Sequence, residues 1–260
     1  MSFLSWPWPL MKVVGENGED LGYEYWYLVD WICSKYSLNE TWCAVLLFAG
    51  ALLCIVIPYL LGSINPAILI SKTLYHDDIR NHGSGNAGST NMLRTYGKKA
   101  AAMTILLDFG KAILAVVLGH LLLGANGEAI AGLFVGFGHM FPIFYRFRGG
   151  KGVACFAMVG FVIHPLVFVG LIAVFLVVTI GTRYVSLGSV MAALLYPFLI
   201  KWFSPAPASL HMAMGGLATI LVVWMHRENL KRIWNNEESK LDISKLKRKK
   251  KKGAEEENDG

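Results

Sequence analysis

Long runs almost free of charge limit this chain more than any other feature. A helix needs about 20 mostly apolar residues to cross a bilayer, and the 260-residue sequence holds several such stretches. Charged residues make up 16 % of it, against roughly 25 % in soluble domains, and they fall in short clusters between the runs. The pattern predicts an all-α, polytopic membrane protein with a single core.

Charge also sets the expected topology. Residues 1–40 carry six acids, Glu16, Glu19, Asp20, Glu24, Asp30 and Glu40, against Lys12 and Lys35, whereas the tail contains "KLKRKKKK" from Lys245 to Lys252. The bias of cytoplasmic loops toward Lys and Arg puts the tail inside and the N-terminus outside. Residues 1–40 read as an extracytoplasmic or interfacial extension, with Trp6, Trp8, Trp26 and Trp31 at headgroup level. Residues 41–234 form the membrane domain, and 235–260 a basic, then acidic, cytoplasmic tail that is expected to be disordered and to lie on anionic lipid. The start "MSFLSWPWPL" lacks the basic region and cleavage site of a signal peptide.

Seven spans are expected. The first covers 42–62, with "SINPAILISKTL" continuing as a half-buried segment; the second covers 100–123 and the third 128–145, parted by "GANG". The apolar run 152–181 is too long for one crossing, since thirty helical residues span about 45 Å against a core of about 30 Å. Arg146, Arg148 and Lys151 precede it and Arg183 follows. An even number of crossings keeps both clusters on one side, so the run splits at His164-Pro165 into 152–163 and 166–181. Spans at 187–202 and 209–225, parted by "SPAPAS", complete the set. This parity brings loop 75–99, "RFRGGKG", "TRYVSLGS" and "HRENLKR" to one cytoplasmic face.

Those segments carry the chemistry. In "DIRNHGSGNAGSTNMLR", Gly83, Gly85 and Gly88 leave amides able to point at an anion, while Ser84, Asn86, Ser89, Thr90 and Asn91 add short donors, and Arg80 and Arg94 flank them. This is a phosphate-binding arrangement without a Walker loop. Lys151 in "RGGKG" offers a second anion site. His226 and Asn229 share one helical face. Ser186 and Ser189 fit substrate contact or helix capping. Asp108 and Lys111, costly inside a membrane unless paired, are three apart and expected to pair with each other. Cys33, Cys43, Cys54 and Cys155 lack metal-ligand spacing, and the cytoplasmic loops hold few carboxylates, so no metal or other cofactor is expected.

"LLGSINPAILISK", "DIRNHGSGNAGSTNMLRTYGKKA", "LLDFGKA", "GHMFPIFYRFRGGKGVA", "RYVSLGS" and "HRENLKRI" resemble, in order and spacing, the acyl-phosphate-dependent glycerol-3-phosphate acyltransferases, the PlsY family, over about residues 43–234. The resemblance implies a seven-helix enzyme of the bacterial plasma membrane with its site facing the cytoplasm. It implies transfer of an acyl chain from acyl phosphate to the 1-hydroxyl of glycerol 3-phosphate, giving lysophosphatidic acid and phosphate. It also implies a site containing Ser84, Arg94, Lys151, Ser186, His226 and Asn229. We assign His226, Asn229 and Ser84 to catalysis. Ser84, Gly85, Asn86, Asn91, Arg94, Lys151 and Ser186 are assigned to phosphate binding. The chain departs from the family pattern at Asn65, where proline comes one residue later, and at Ser89, where alanine is usual.

The expected partners are the two substrates and membrane lipid, not nucleic acid. Two other readings fit less well. His-dependent thioester acyltransferases use H-x-x-x-x-D, and no histidine here has Asp five positions on. A phosphate or organophosphate transporter is expected to show inverted repeats and a midplane site, but no repeat is found and the polar motifs cluster at one face.

Overall fold

The computed structural model describes residues 11–14, 20–24, 27–204 and 209–241. Trp6, Trp8 and Trp26, the "PAPA" of the last interspan turn and the Lys245–Lys252 run lie outside the described residues. From residue 27 onward the described chain is helical. The all-α expectation needs one correction. Met11–Val14 (β1) and Asp20–Glu24 (β2) pair antiparallel in the N-terminal extension, followed by the helix Leu28–Lys35 (α1).

Helix Glu40–Ser63 (α2) starts where Asn39 accepts a hydrogen bond from the Trp42 amide at 3.0 Å. Asn65, with proline next to it, then caps Pro66–Leu74 (α3), accepting from the Ile68 amide at 3.1 Å. Proline at the first helical position loses no hydrogen bond, so the departure at Asn65 makes a helix start. Loop 75–99 contains a 3-10 turn, Ile79–Asn81, and the short helix Ser89–Thr95 (α4).

The helical run Lys98–Met140 (α5) is two arms. Leu123 and Gly124 leave helical geometry, Gly124 at φ 59°, ψ −141°, a conformation open to glycine. The arms fold back on each other through Gly119 and Gly127. A Cβ on Gly119 would lie 2.3 Å from the Gly127 carbonyl oxygen, so only glycine permits this approach. The break coincides with the start of "GANG".

Helices Val153–Ile163 (α6), Pro165–Thr182 (α7), Val185–Phe203 (α8), Ser209–Met225 (α9) and Arg227–Trp234 (α10) follow. The split argued from charge is present: His164 is extended, and its ring accepts from the Leu166 amide at 3.3 Å to cap α7. Glu40–Leu74, Lys98–Tyr145, Pro165–Thr182 and Val185–Phe203 are each long and apolar enough to cross a membrane; Val153–Ile163 and Leu210–Met225 are shorter apolar helices.

Val116, Val159, Val167, Tyr196 and Ile200 are buried where α5, α6, α7 and α8 meet. Meanwhile Phe48, Leu106, Val177, Phe198 and Ile220 stand on the outer surface. Large side chains pointing outward along successive helices form a lipid-facing surface, since lipid tails are as apolar as leucine.

Buried charge is paired. Asp108 Oδ1 lies 2.9 Å from Lys111 Nζ and 3.0 Å from His139 Nδ1. Lys111 also donates to the carbonyls of Gly62 at 3.1 Å and Ile64 at 2.8 Å, where α2 ends. The expected Asp108–Lys111 pair is therefore part of a larger clamp. A second cluster joins the arms of α5 to α9: Glu128 Oε1 lies 2.6 Å from His120 Nδ1, and Oε2 lies 3.2 Å from His211 Nε2.

Candidate active site: a cavity polar at one end and apolar at the other

A cavity of about 780 Å³ joins four of the chemically unusual segments. Ser84, Asn86, Asn91, Arg94, Lys151, Ser186, His226 and Asn229 all line it, drawn from loop 75–99 and from the starts of α6, α8 and α10. Its other end is walled by Phe109, Phe156, Leu171, Phe175, Ala192 and Tyr196. Gly85, assigned to phosphate from the sequence, is not among the lining residues; it shapes the loop instead, its amide donating to the His82 carbonyl at 2.9 Å.

The loop owes its shape to Asn91, which is 1 % exposed. Its Nδ2 donates to the carbonyls of His82 at 2.8 Å, Asn86 at 3.1 Å and Ile79 at 3.2 Å, and its Oδ1 accepts from the Ser84 amide at 3.1 Å. The Gly88 amide donates to the Asn86 carbonyl at 3.0 Å. Two of the three glycine amides expected to face an anion, those of Gly85 and Gly88, therefore bond within the loop, as does the amide of Ser84. The loop borders the cavity with Ser84, Asn86, Ser89, Thr90 and Arg94, with Asn91 as their organiser. At its base Arg80 makes two bonds to Asp78, at 2.9 and 2.7 Å, and reaches the Tyr145 carbonyl at 3.1 Å. That guanidinium holds the Asp78 carboxyl down at about 2, so it stays ionised and the brace persists at neutral pH.

Lys151 is placed by the glycines before it. Gly149 and Gly150 donate to the carbonyls of Met140 and His139 at 3.2 and 3.0 Å, folding the loop onto the end of α5. A Cβ on Gly150 would sit 2.1 Å from His139 Nε2. The backbone thus passes against the Asp108–Lys111–His139 clamp, and Lys151 turns into the cavity, where its ammonium donates to Asn229 Oδ1.

A carboxylate overlooked in the sequence completes this end. Glu238, beyond α10, accepts from Asn229 Nδ2 at 2.6 Å, Ser186 Oγ at 2.9 Å and Arg232 Nε at 2.8 Å. The Leu241 amide bonds the Arg183 carbonyl at 2.7 Å and fastens the segment across the start of α8. Burial pushes the Glu238 carboxyl up, but hydrogen bonds from Asn229, Arg232 and Ser186 outweigh it and hold the group below the usual range. The spacing within "HRENLKRIWNNEES" gave no sign that Glu238 returns to Ser186, 52 residues away.

Electrostatics divide the remaining roles. Burial lowers Lys151 to about 8, with the charges of Arg232 and Arg94 adding and that of Glu238 opposing. Burial, reinforced by Lys151, lowers His226 to about 4, so its ring is neutral at pH 7. His226 Nδ1 lies 2.8 Å from the Val222 carbonyl, which assigns the proton to Nδ1 and makes Nε2 an acceptor. Ser189, by contrast, bonds back to the Val185 carbonyl at 2.9 Å.

Asp108, His139 and Cys155 bring ligand-type atoms close enough to hold a metal ion. The Lys111 ammonium lies 2.9 Å from Asp108 and 3.0 Å from His139 Nδ1, so a cation already neutralises that carboxylate. The donor set does not fit a further positive ion.

The fold and the cavity define a helical integral membrane protein in which a cationic, hydroxyl-bearing cluster opens into an apolar channel. A family model for glycerol-3-phosphate acyltransferase matches residues 52–236, and the chain belongs to that family. It is 42 % identical over 193 residues to the glycerol-3-phosphate acyltransferase of Thermoanaerobacter sp. (strain X514), covering 74 % of this chain and 96 % of that one. It is 39 % identical over 189 residues to that of Finegoldia magna, covering 72 % and 93 %. Among solved structures it is similar to PlsY (YgiH), an integral membrane glycerol 3-phosphate acyltransferase, in its glycerol 3-phosphate form. There the TM-score is 0.70 at 34 % identity, covering 75 % of this chain and 98 % of that one. Against the lysophosphatidic acid form the TM-score is 0.67 at 33 % identity.

Proposed function

We propose that this protein transfers an acyl group from acyl phosphate to the 1-hydroxyl of glycerol 3-phosphate, releasing lysophosphatidic acid and phosphate. The observation that carries this reading is one continuous cavity, cationic and hydroxyl-lined at one end and apolar at the other. Both substrates carry phosphate, and one also carries a hydrocarbon chain. A cavity of this kind brings the water-soluble acceptor and the lipid-dissolved donor to one point. The names of the relatives and of the similar structures support the acceptor and product.

Acyl phosphate is a mixed anhydride and already activated, so positioning and charge stabilisation do most of the work. Arg94 with Ser84 and Asn86 takes one phosphate, and Lys151 with Ser186 and Asn229 takes the other. The acceptor hydroxyl attacks the acyl carbonyl carbon and the C–O bond to phosphate breaks. The nearby cations stabilise the oxyanion and then the departing phosphate. Neutral His226 orients the hydroxyl by accepting its hydrogen bond at Nε2, with Ser84 and Asn229 alongside. The hydroxyl proton passes to substrate phosphate, whose second pKa is near 6.

We place the membrane domain at residues 41–234 in seven crossings: α2, the two arms of α5, and α6 to α9, with the N-terminus outside. The site then faces the cytoplasm of a bacterial cell, where glycerol 3-phosphate is dissolved. Residues 1–40 are an external extension and 235–260 a cytoplasmic tail whose start supplies Glu238.

Purified protein given palmitoyl phosphate and labelled glycerol 3-phosphate is expected to form labelled lysophosphatidic acid. Folded protein that forms none from palmitoyl phosphate or from shorter acyl phosphates would contradict the reading and direct the next assay to organophosphate uptake in proteoliposomes.

A further inference from the structure

The apolar end of the cavity has a floor. Along α8 the lining residues are Val185, Ser186, Ser189, Ala192, Ala193 and Tyr196, a helical face running away from the polar end. Lining stops there: Leu199 and Ile200, the next residues on that side, do not border the cavity. It stops at the same level on the neighbouring helices, at Leu171 of α7 and Ala218 of α9.

Tyr196 is 2 % exposed. A Cβ on Gly160 of α6 would come within 3.1 Å of its ring, so the glycine makes room for the phenol. Its hydroxyl has no hydrogen-bond partner among the described residues. Packing alone therefore holds the ring at the inner end of the cavity, and the barrier it forms is one of shape. Ten helical residues from Ser186 to Tyr196 span about 15 Å, room for a straight run of roughly a dozen methylenes.

We propose that Tyr196 sets the length of acyl chain that the enzyme accepts, acting as the floor against which the chain end stops. This inference rests on the acyltransferase reading above. A chain that fits gains contact along the whole channel, whereas a longer one must bend or displace the ring. A fixed apolar pocket discriminates such differences by about tenfold or more per methylene.

The test is kcat/KM for saturated acyl phosphates from eight to eighteen carbons, at saturating glycerol 3-phosphate, for the wild-type protein and two opposed variants. Tyr196→Ala lowers the floor and is expected to move the optimum to longer chains. Ala218→Leu raises it and is expected to move the optimum to shorter ones. Just past the wild-type optimum, the ratio between neighbouring even chains, which differ by two methylenes, should change by about a hundredfold. Because Tyr196→Ala opens a core, circular dichroism and gel filtration precede the assay, and Ala218→Leu decides alone if the first variant does not fold. Folded variants that keep the wild-type optimum overturn the proposal. If wild-type protein uses no acyl phosphate of any length, the functional reading itself fails and the floor assignment falls with it.

Discussion

The ammonium of Lys151 donates to the side-chain oxygen of Asn229, 78 residues further along the chain. The same Asn229 amide donates to Glu238 at 2.6 Å. One side chain therefore joins the loop before α6 to the segment after α10, and the polar end of the cavity closes around that link.

Lys151 is expected to bind substrate phosphate directly. A charged hydrogen bond of this kind contributes about 1.5–3 kcal/mol, so Lys151→Ala should lower kcat/KM for one phosphorylated substrate by roughly ten- to a hundredfold. Steady-state kinetics with each substrate varied in turn identifies which. Unchanged kinetics for both would reduce Lys151 to a topology signal.

The pH profile separates the two titratable groups. Lys151 at about 8 carries its charge below that pH and loses it as pH rises through 8, so kcat/KM should fall on the alkaline side. His226, at about 4, is neutral throughout the range in which phosphate ionises and contributes no acid limb there. Any limb near pH 6 then belongs to the substrate phosphate and should persist in His226→Gln. A limb lost only in that variant would restore His226 as the general base.

Glu238 positions Ser186, Asn229 and Arg232 without reacting itself. Glu238→Ala should raise several-fold the KM for the substrate whose phosphate Lys151 binds, and Glu238→Asp, which keeps the charge, should recover part of the loss. Equal damage from both variants, with the fold lost by circular dichroism, would assign Glu238 to stability alone.

Asp108 borders the cavity and anchors the buried clamp with Lys111 and His139. Removing one member of a buried ion pair costs about 3–5 kcal/mol, and Asp108→Ala leaves both Lys111 and His139 without their carboxylate. A lower thermal midpoint in detergent is expected, together with reduced yield. A midpoint equal to wild type would show that the clamp contributes little.

Local and charge-ordered features were legible in the sequence. The break at His164-Pro165 followed from the basic clusters on either side, and the Asp108–Lys111 pair from its three-residue spacing. Features made by distant residues were not. His139 joins Asp108 only because the arms of α5 fold back, and Glu238 meets Ser186 only after α10 turns the chain. The sequence shows the loop as polar and glycine-rich with amides able to face an anion, whereas in the structure those of Gly85 and Gly88 bond within it. Nothing local revealed that Asn91 would gather three carbonyls and the Ser84 amide around one side chain.

The identity of the acyl donor tests the account most directly. Purified protein, labelled glycerol 3-phosphate and EDTA would be divided between palmitoyl phosphate and palmitoyl-CoA, and lysophosphatidic acid measured in each. The account predicts product from palmitoyl phosphate, with one inorganic phosphate released per acyl chain transferred, and none from the thioester. Product from palmitoyl-CoA alone would contradict it.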